Sequence, residues 1–161
     1  MKLVFFGTPA FALPSLRALV NRGNEVVAVV TQTDKPQGRG RRVAPPPIKE
    51  LARSLGLAVF QPAQVRDSQF IQELRVLEPE AIVVVSYGRI LPQVLLDMPR
   101  YGGINLHPSL LPQYRGAAPI PWPILRGEEE TGVTTFLMDE GMDTGPLLRQ
   151  RPMAIRPFDT A

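Results

Sequence analysis

The sequence has no cysteine and a single histidine, His107, among its 161 residues. The absence of cysteine excludes a disulfide framework, a thiolate nucleophile and a metal site with thiolate ligands. One imidazole likewise excludes a histidine-rich metal centre, and we expect no metal cofactor. The apolar run at 3–6 is too short for the core of a signal peptide or a membrane span. The sequence therefore predicts a cytoplasmic protein with no membrane partner.

Three common functional signatures are also missing. The turn after the first predicted strand has Gly7 but not the two further glycines of a dinucleotide-binding fingerprint. No Gly-Lys-Ser/Thr phosphate-binding loop occurs anywhere in the chain. Ser109 lacks the Gly-x-Ser-x-Gly setting of a serine hydrolase. The sequence therefore disfavours a binding site for a nicotinamide or flavin cofactor, a binding site for a nucleoside triphosphate, and the activity of a serine hydrolase.

The remaining composition is that of an ordinary globular domain, with 44% hydrophobic and 20% charged residues. The formal net charge of +3 permits an anionic partner without requiring one. Apolar runs predict strands at 3–6, 26–30, 57–60, 81–85, 103–107 and 132–138. Helical patterns occupy 10–22, 48–55, 68–77, a short stretch from Pro92, and 119–126. The alternation predicts an α/β fold with an open, mostly parallel, Rossmann-like sheet and helices on both faces.

Asn105 and His107 stand two residues apart in a predicted strand, so their side chains share one face. His107 can be catalytic, or it can merely cap the strand end. Asp143 belongs to a glycine-flanked acidic loop at 139–145, whose spacing does not match a calcium-binding EF-hand. A path through one helix and one strand can return Asp143 to His107. Asparagine, histidine and aspartate at one point suit acyl-type transfer, with the amide donating to a developing oxyanion.

A basic stretch lies at 35–42, with four cations, two glycines and no apolar residue; the cations are Lys35, Arg39, Arg41 and Arg42. Such a run can be a solvated surface loop or a flexible arm that binds a phosphate backbone. Both interpretations stay open on composition alone. We expect residues 34–44 to form a loop that is mobile without RNA. We also expect residues 150–161 to be less securely folded than the rest of the chain.

The chain resembles the methionyl-tRNA formyltransferase branch of the folate-dependent formyltransferases. The resemblance covers essentially the whole sequence and rests on the motifs FGTP (6–9), TQTDKP (31–36), GRG (38–40), VSYGRILP (85–92), INLHPSLLP (104–112), YRGAAPI (114–120) and DEGMDTG (139–145). It implies a Rossmann-like catalytic domain that transfers a formyl group from the cosubstrate 10-formyltetrahydrofolate to the α-amine of methionyl initiator tRNA.

The resemblance also implies roles for individual residues. The catalytic set would be Asn105, His107 and Asp143. The folate-binding set would be Ser109, Leu110, Leu111, Pro112, Arg89, Ile90, Leu91, Asp139 and Gly141. The tRNA-binding set would be Lys35, Arg39, Arg41 and Arg42.

Chains of this family are longer and carry a C-terminal β-barrel domain that helps to hold the tRNA. By comparison with that family, we expect residues 1–161 to be a truncated catalytic domain. We expect the full-length chain to be a monomer. Two alternatives stay open. The acceptor can instead be glycinamide ribonucleotide or an amino sugar, or the chain can be a non-catalytic RNA-binding α/β module.

Overall fold

A computed structural model describes residues 1–37 and 42–161, without the side chains of Gln37 and Arg42. Contacts between residues divide the chain into two compact units, Met1–Gly103 and Ile104–Ala161. That residues 1–161 form one catalytic domain stays a prediction. Among the described residues, no helix has both the length and the apolar character needed to cross a membrane.

The first unit is built on parallel strands with helices between them. Its strands are β1 (Lys2–Gly7), β2 (Glu25–Val30), β3 (Lys35–Gln37), β4 (Arg42–Ala44), β5 (Val59–Phe60) and β6 (Ala81–Val85). Its helices are α1 (Leu13–Asn21), α2 (Pro47–Ser54), α3 (Ser68–Val76) and α4 (Gln93–Leu96). Four strands pair in the order β5-β2-β1-β6, and all three pairings are parallel. The predicted α/β fold with a mostly parallel sheet is confirmed.

The apolar runs of the sequence become the centre of this sheet. Five of the six residues of β1 are buried, as are four of the five residues of β6. A strand buried at consecutive positions is covered on both faces, because successive side chains point to opposite sides. Several helices begin where the sequence provides a start signal. The Asp67 carboxylate caps α3 by accepting the Phe70 N–H at 2.9 Å, and α1 and α2 carry proline in their first turn.

Two predictions in the first unit need correction. The helix expected over 10–22 begins as a 3-10 turn at Ala10–Ala12, and the α-helical part starts only at Leu13. The basic stretch was expected to be entirely loop, but β3 and β4 pair there as an antiparallel hairpin with Lys35 opposite Ala44. Mobility over residues 34–44 stays a prediction, and residues 38–41, including Arg39 and Arg41, lie outside the described part of the chain.

The second unit contains an antiparallel ladder. Its elements are β7 (Gly103–His107, whose first residue closes the first unit), α5 (Pro121–Leu125), β8 (Glu130–Leu137) and β9 (Leu147–Ala154). Strand β8 pairs with β7 on one side and with β9 on the other. Inward positions alternate along β8, where Gly132, Thr134 and Phe136 are buried.

Strand β9 extends regular structure to residue 154, into the segment 150–161 that was expected to be less securely folded. Every residue of β9 is exposed, so the strand has no alternation of buried and exposed positions that a hydrophobicity pattern could reveal. Its main-chain pairing with β8 runs from Leu147 opposite Phe136 to Ala154 opposite Glu130. Pro152 lacks an N–H, which a strand paired on one side tolerates. Tertiary pairing, rather than local propensity, therefore forms this strand.

Candidate active site

His107 and Asp143 meet in the second unit. His107 is the last residue of β7 and is 6% exposed. Asp143 lies in the loop between β8 and β9, and its Oδ2 atom is 3.5 Å from His107 Nδ1. The structure therefore brings together the histidine and the carboxylate that the sequence singled out.

The other ring nitrogen of His107 also faces an acceptor. His107 Nε2 is 2.8 Å from the main-chain oxygen of Tyr114. A carbonyl oxygen can only accept, so Nε2 carries a proton and donates it. In the neutral ring, Nδ1 then turns a lone pair toward the Asp143 carboxylate. Only the imidazolium form donates to both neighbours.

Residues 114–116 hold Asp143 as well as His107. The Gly116 N–H donates to Asp143 Oδ2 at 2.8 Å, and Arg115 Nε donates to the Asp143 main-chain oxygen at 2.9 Å. Tyr114 and Asp143 have φ angles of 55° and 54°, in the left-handed region that residues with a side chain disfavour. These hydrogen bonds offset the cost of that conformation and fix the carboxylate beside the imidazole.

The loop that carries Asp143 is shaped by Asp139. One carboxylate oxygen of Asp139 accepts the Gly141 N–H at 3.0 Å and the Thr144 hydroxyl at 2.8 Å. A side chain at Gly145 would collide with the carbonyl oxygen of Leu137, so the turn requires glycine there. The Asp139 side chain thus stabilises the loop itself.

Asn105 lies in β7 two residues before His107, and its main chain pairs with Phe136 of β8. The side chains of Asn105 and His107 project from the same face of the strand. Asn105 is half-buried, so its side chain is less enclosed than that of His107. All three predicted catalytic residues therefore belong to the second unit, where the structure places His107 and Asp143 in contact.

The segment 109–112, predicted to bind folate, is anchored to β8 and β9. Thr134 donates its hydroxyl to the Ser109 carbonyl at 2.7 Å and accepts the Leu111 N–H at 3.1 Å. Gln150 donates to the Leu111 carbonyl at 2.7 Å and to the Thr134 hydroxyl oxygen at 3.0 Å. The Ser109 hydroxyl is buried and donates to the Gln113 carbonyl at 2.6 Å. The side chains of Ser109 and Leu111 are therefore internal.

Leu110 and Pro112 alternate with these internal residues and reach the surface. Sequence reasoning missed Thr134 and Gln150. The inward position of Thr134 in the β8 alternation is the signal that could have identified a buried hydroxyl. Gln150 had no such signal, because it is on a fully exposed strand.

Three further predicted folate residues, Arg89, Ile90 and Leu91, lie in the first unit. The Arg89 guanidinium donates to the carbonyl oxygens of Pro62 at 3.2 Å and Ala63 at 2.7 Å. Leu91 is buried and Ile90 is exposed. The Arg89 side chain thus has a structural role in holding the segment after β5.

The base of the β3–β4 hairpin holds a polar cluster that sequence reasoning also missed. Lys49 of α2 is 7% exposed, and its Nζ atom lies 2.7 and 2.8 Å from the two carboxylate oxygens of Asp34. Gln61 donates to Asp34 Oδ1 and to the Gln32 carbonyl, both at 2.7 Å. The hydrogen bonds from Gln61 and Lys49 hold the pKa of the Asp34 carboxyl below its usual value. Lys35 joins the cluster by donating to the Gln32 side chain at 2.6 Å.

Within residues 1–37 and 42–161, no group of three or more His, Asp or Glu side chains is placed to hold a metal ion. That the protein uses no metal stays a prediction.

Comparisons with known proteins identify the family of the chain. The formyl transferase family model matches residues 1–161. Over 161 residues the chain is 55% identical to a methionyl-tRNA formyltransferase of Pelotomaculum thermopropionicum, with coverage of 100% of this chain and 51% of the relative. It is 53% identical over 161 residues to the enzyme of that name from Geobacter sulfurreducens, with the same coverage. The chain spans about half the length of the curated relatives it matches.

Solved structures show the same fold. The phosphoribosylglycinamide formyltransferase of Bacillus halodurans superimposes with a TM-score of 0.80 at 23% identity, covering 99% of this chain and 83% of that one. The glycinamide ribonucleotide transformylase 1 of Geobacillus kaustophilus has a TM-score of 0.77 at 28% identity, with coverage of 99% and 85%. The match of the family model extends over the whole of residues 1–161. The chain therefore belongs to the formyl transferase family.

Proposed function

We propose that the protein transfers the formyl group of 10-formyltetrahydrofolate to the α-amine of methionyl initiator tRNA in the cytoplasm. The observation that carries this choice of acceptor is the identity of 55% over all 161 residues to a relative named methionyl-tRNA formyltransferase. The solved glycinamide ribonucleotide enzymes share 23% and 28% identity. The overall likeness to them supports the formyl-transfer fold but not their acceptor.

The proposed reaction begins when the methionyl amine attacks the formyl carbon, so that a carbon–nitrogen bond forms and the carbonyl oxygen becomes an oxyanion. The Asn105 amide and the His107 imidazolium donate hydrogen bonds to that oxyanion. Asp143 faces the imidazolium and, through water, takes the proton of the attacking amine. The intermediate collapses by breaking the bond to the folate nitrogen, which receives a proton as it leaves.

His107 has one requirement in this scheme. Both of its nitrogens face protein acceptors, Tyr114 O at 2.8 Å and Asp143 Oδ2 at 3.5 Å. For His107 to donate to an oxyanion, one of its two N–H groups must either be shared between the oxyanion and its present acceptor or lose that acceptor altogether. The contact to Asp143 is the longer one and the weaker as a hydrogen bond.

The folate cosubstrate is proposed to bind through residues 109–112 and the loop that includes Asp139 and Gly141, all in the second unit; a role for Arg89, Ile90 and Leu91 stays a prediction from the sequence. The ordered main chain at 109–111 supports this role, because Thr134 and Gln150 hold the Ser109 carbonyl and both main-chain groups of Leu111. Leu110 and Pro112 supply apolar surface at that segment, which suits a flat heteroaromatic ring.

The initiator tRNA is proposed to contact Lys35, Arg39, Arg41 and Arg42 through its phosphates. The support is the sequence position of the arginines at the connection of the β3–β4 hairpin, whose base is held by the contact of Lys49 with Asp34.

A single assay tests the proposed acceptor. The chain is incubated with 10-formyltetrahydrofolate carrying a labelled formyl group, and with methionyl initiator tRNA, glycinamide ribonucleotide or an amino sugar nucleotide in separate reactions. We expect the label on the tRNA and not on the other two acceptors. Label on the ribonucleotide or sugar alone would reject the tRNA assignment. Binding of tRNA with no folate binding and no transfer would favour the RNA-binding module.

A further inference from the structure

Tyr114 is held at three points in the second unit. Its carbonyl oxygen accepts from His107 Nε2 at 2.8 Å. Its hydroxyl donates to Glu128 Oε1, and the Arg126 guanidinium carbon lies 5.3 Å from the centre of its ring. One residue thus connects the candidate catalytic imidazole to the segment that follows α5.

That segment is itself well supported. The Glu128 N–H donates to the Pro123 carbonyl at 3.0 Å, and the Arg126 N–H donates to the Trp122 carbonyl at 3.0 Å. Glu128 and Arg126 are therefore fixed relative to α5. The side chain of Tyr114 is attached to an ordered element and not to a free chain end.

The main chain at Tyr114 needs such an attachment. Its φ of 55° is in the left-handed region, which a tyrosine adopts only when its surroundings hold it there. Relaxation to the common negative φ would rotate the adjoining peptide groups and move the carbonyl away from His107. The hydroxyl contact with Glu128 opposes that relaxation.

We propose that Glu128 and the Tyr114 hydroxyl form a positioning pair that keeps the Tyr114 carbonyl on His107 Nε2 and so fixes the orientation of the imidazole. Neither residue touches the reacting atoms, and their effect passes through the main chain of Tyr114. The hydrogen bond to Glu128 also raises the pKa of the Tyr114 hydroxyl above its ordinary value, so the hydroxyl remains a donor through the neutral range. The expected effect of this pair on catalysis rests on the proposed formyl transfer. Its effect on the hydrogen bond of His107 does not depend on the proposed function.

The single histidine makes the contact directly measurable, because every imidazole signal in a nitrogen-15 NMR spectrum comes from His107. In the unaltered chain we expect a proton on Nε2 that exchanges slowly with water. Tyr114→Phe keeps the ring and removes the hydroxyl, and we expect exchange of that proton to become at least about tenfold faster. Glu128→Ala should have the same effect, while Glu128→Gln keeps an acceptor oxygen and should restore slow exchange.

Tyr101→Phe is the matched control. Tyr101 is exposed and lies in the first unit, with the Arg100 guanidinium carbon 5.2 Å from the centre of its ring. The variant therefore removes a tyrosine hydroxyl near an arginine, as Tyr114→Phe does, but at a residue that does not contact His107. We expect no change in its imidazole spectrum. Unchanged Nε2 exchange in both Tyr114→Phe and Glu128→Ala would overturn the proposal. If Tyr114→Phe does not fold, Glu128→Ala alone decides.

The formyl-transfer assay separates this inference from the proposed function. We expect Tyr114→Phe to lower kcat about tenfold with KM for both substrates within twofold, since the proposed pair acts through the orientation of His107. Altered NMR exchange in a protein with no transfer activity would reject the function and leave the positioning pair intact. Normal exchange in the variants of an active protein would reject the pair and leave the function intact.

Discussion

The Asp143 carboxylate is shared between a side chain and a main-chain group: its Oδ2 atom lies 3.5 Å from His107 Nδ1 and accepts the Gly116 N–H at 2.8 Å. The N–H holds the carboxylate in place while its charge faces the imidazole. The position and the charge of Asp143 can therefore be separated by substitution.

Asp143→Asn keeps an oxygen that can accept from Gly116 and removes the charge that faces His107. If the proposed mechanism holds, we expect kcat for formyl transfer to fall on the order of 100-fold, because His107 loses the partner of its charged form. Circular dichroism should show an unchanged fold. Thr144→Val is the control for an altered loop, since the Thr144 hydroxyl contacts Asp139 and not His107. Comparable losses in the two variants would mean that the loop conformation matters rather than the charge.

Thr134→Val should weaken the whole segment 109–111. The change preserves the shape of a fully buried side chain but removes the hydroxyl that links Ser109, Leu111 and Gln150. We expect a loss of about 2 kcal/mol in the free energy of unfolding, because buried main-chain groups lose their partner. Urea denaturation measures it.

Thr135→Val is the control for that loss. Thr135 is the next residue of β8, is only half-buried, and its hydroxyl lies 3.5 Å from the Arg149 carbonyl. We expect its free energy of unfolding to change by less than about 0.5 kcal/mol. Equal losses at the two positions would show that the anchoring hydrogen bonds do not stabilise the unit.

Asp34→Asn should lower the melting temperature at neutral pH, since Lys49 then loses its carboxylate partner while buried. The folded state lowers the pKa of Asp34 from 3.8, so its contribution is present above that value and is lost as pH falls through the folded pKa. The gap in melting temperature between wild type and variant should therefore be constant above about pH 5 and shrink below 3.8. Asp97→Asn, at an exposed carboxylate that contacts Gln93, is the control. A gap that does not depend on pH would contradict an ionic role for Asp34.

Arg42→Ala should weaken tRNA binding and reduce its dependence on salt concentration. If Arg42 neutralises one phosphate, the slope of the logarithm of affinity against the logarithm of salt concentration should fall by about 1. Arg17→Ala, at an exposed position of α1, removes the same charge outside the proposed contact and should leave the slope unchanged. Filter binding across a salt series gives both slopes. Equal slopes for the two variants would leave the basic stretch as ordinary solvated surface.

Elements with a strong local pattern could be predicted from the sequence. Strand β6 at 81–85 was predicted with its observed bounds because five consecutive apolar residues, four of them β-branched, suit a strand covered on both faces. The bounds predicted for β7 at 103–107 also match those observed. Asn105 and His107 share a face because they are two residues apart in that strand, which is local geometry. The family resemblance also came from contiguous motifs.

The tertiary structure decided what depends on residues distant in the chain. Strand β9 forms because β8 provides main-chain groups for it to pair with. Its side chains are all exposed, so they carry no hydrophobicity pattern that would predict a strand. The partners of His107 were likewise decided by folding: the return of the 139–145 loop brings Asp143, and the left-handed turn at Tyr114 directs a carbonyl to Nε2. Periodicity reports which side of an element is buried. It carries no information on which hydrogen-bond donor meets which acceptor across many residues, because that match is made only when the chain is packed.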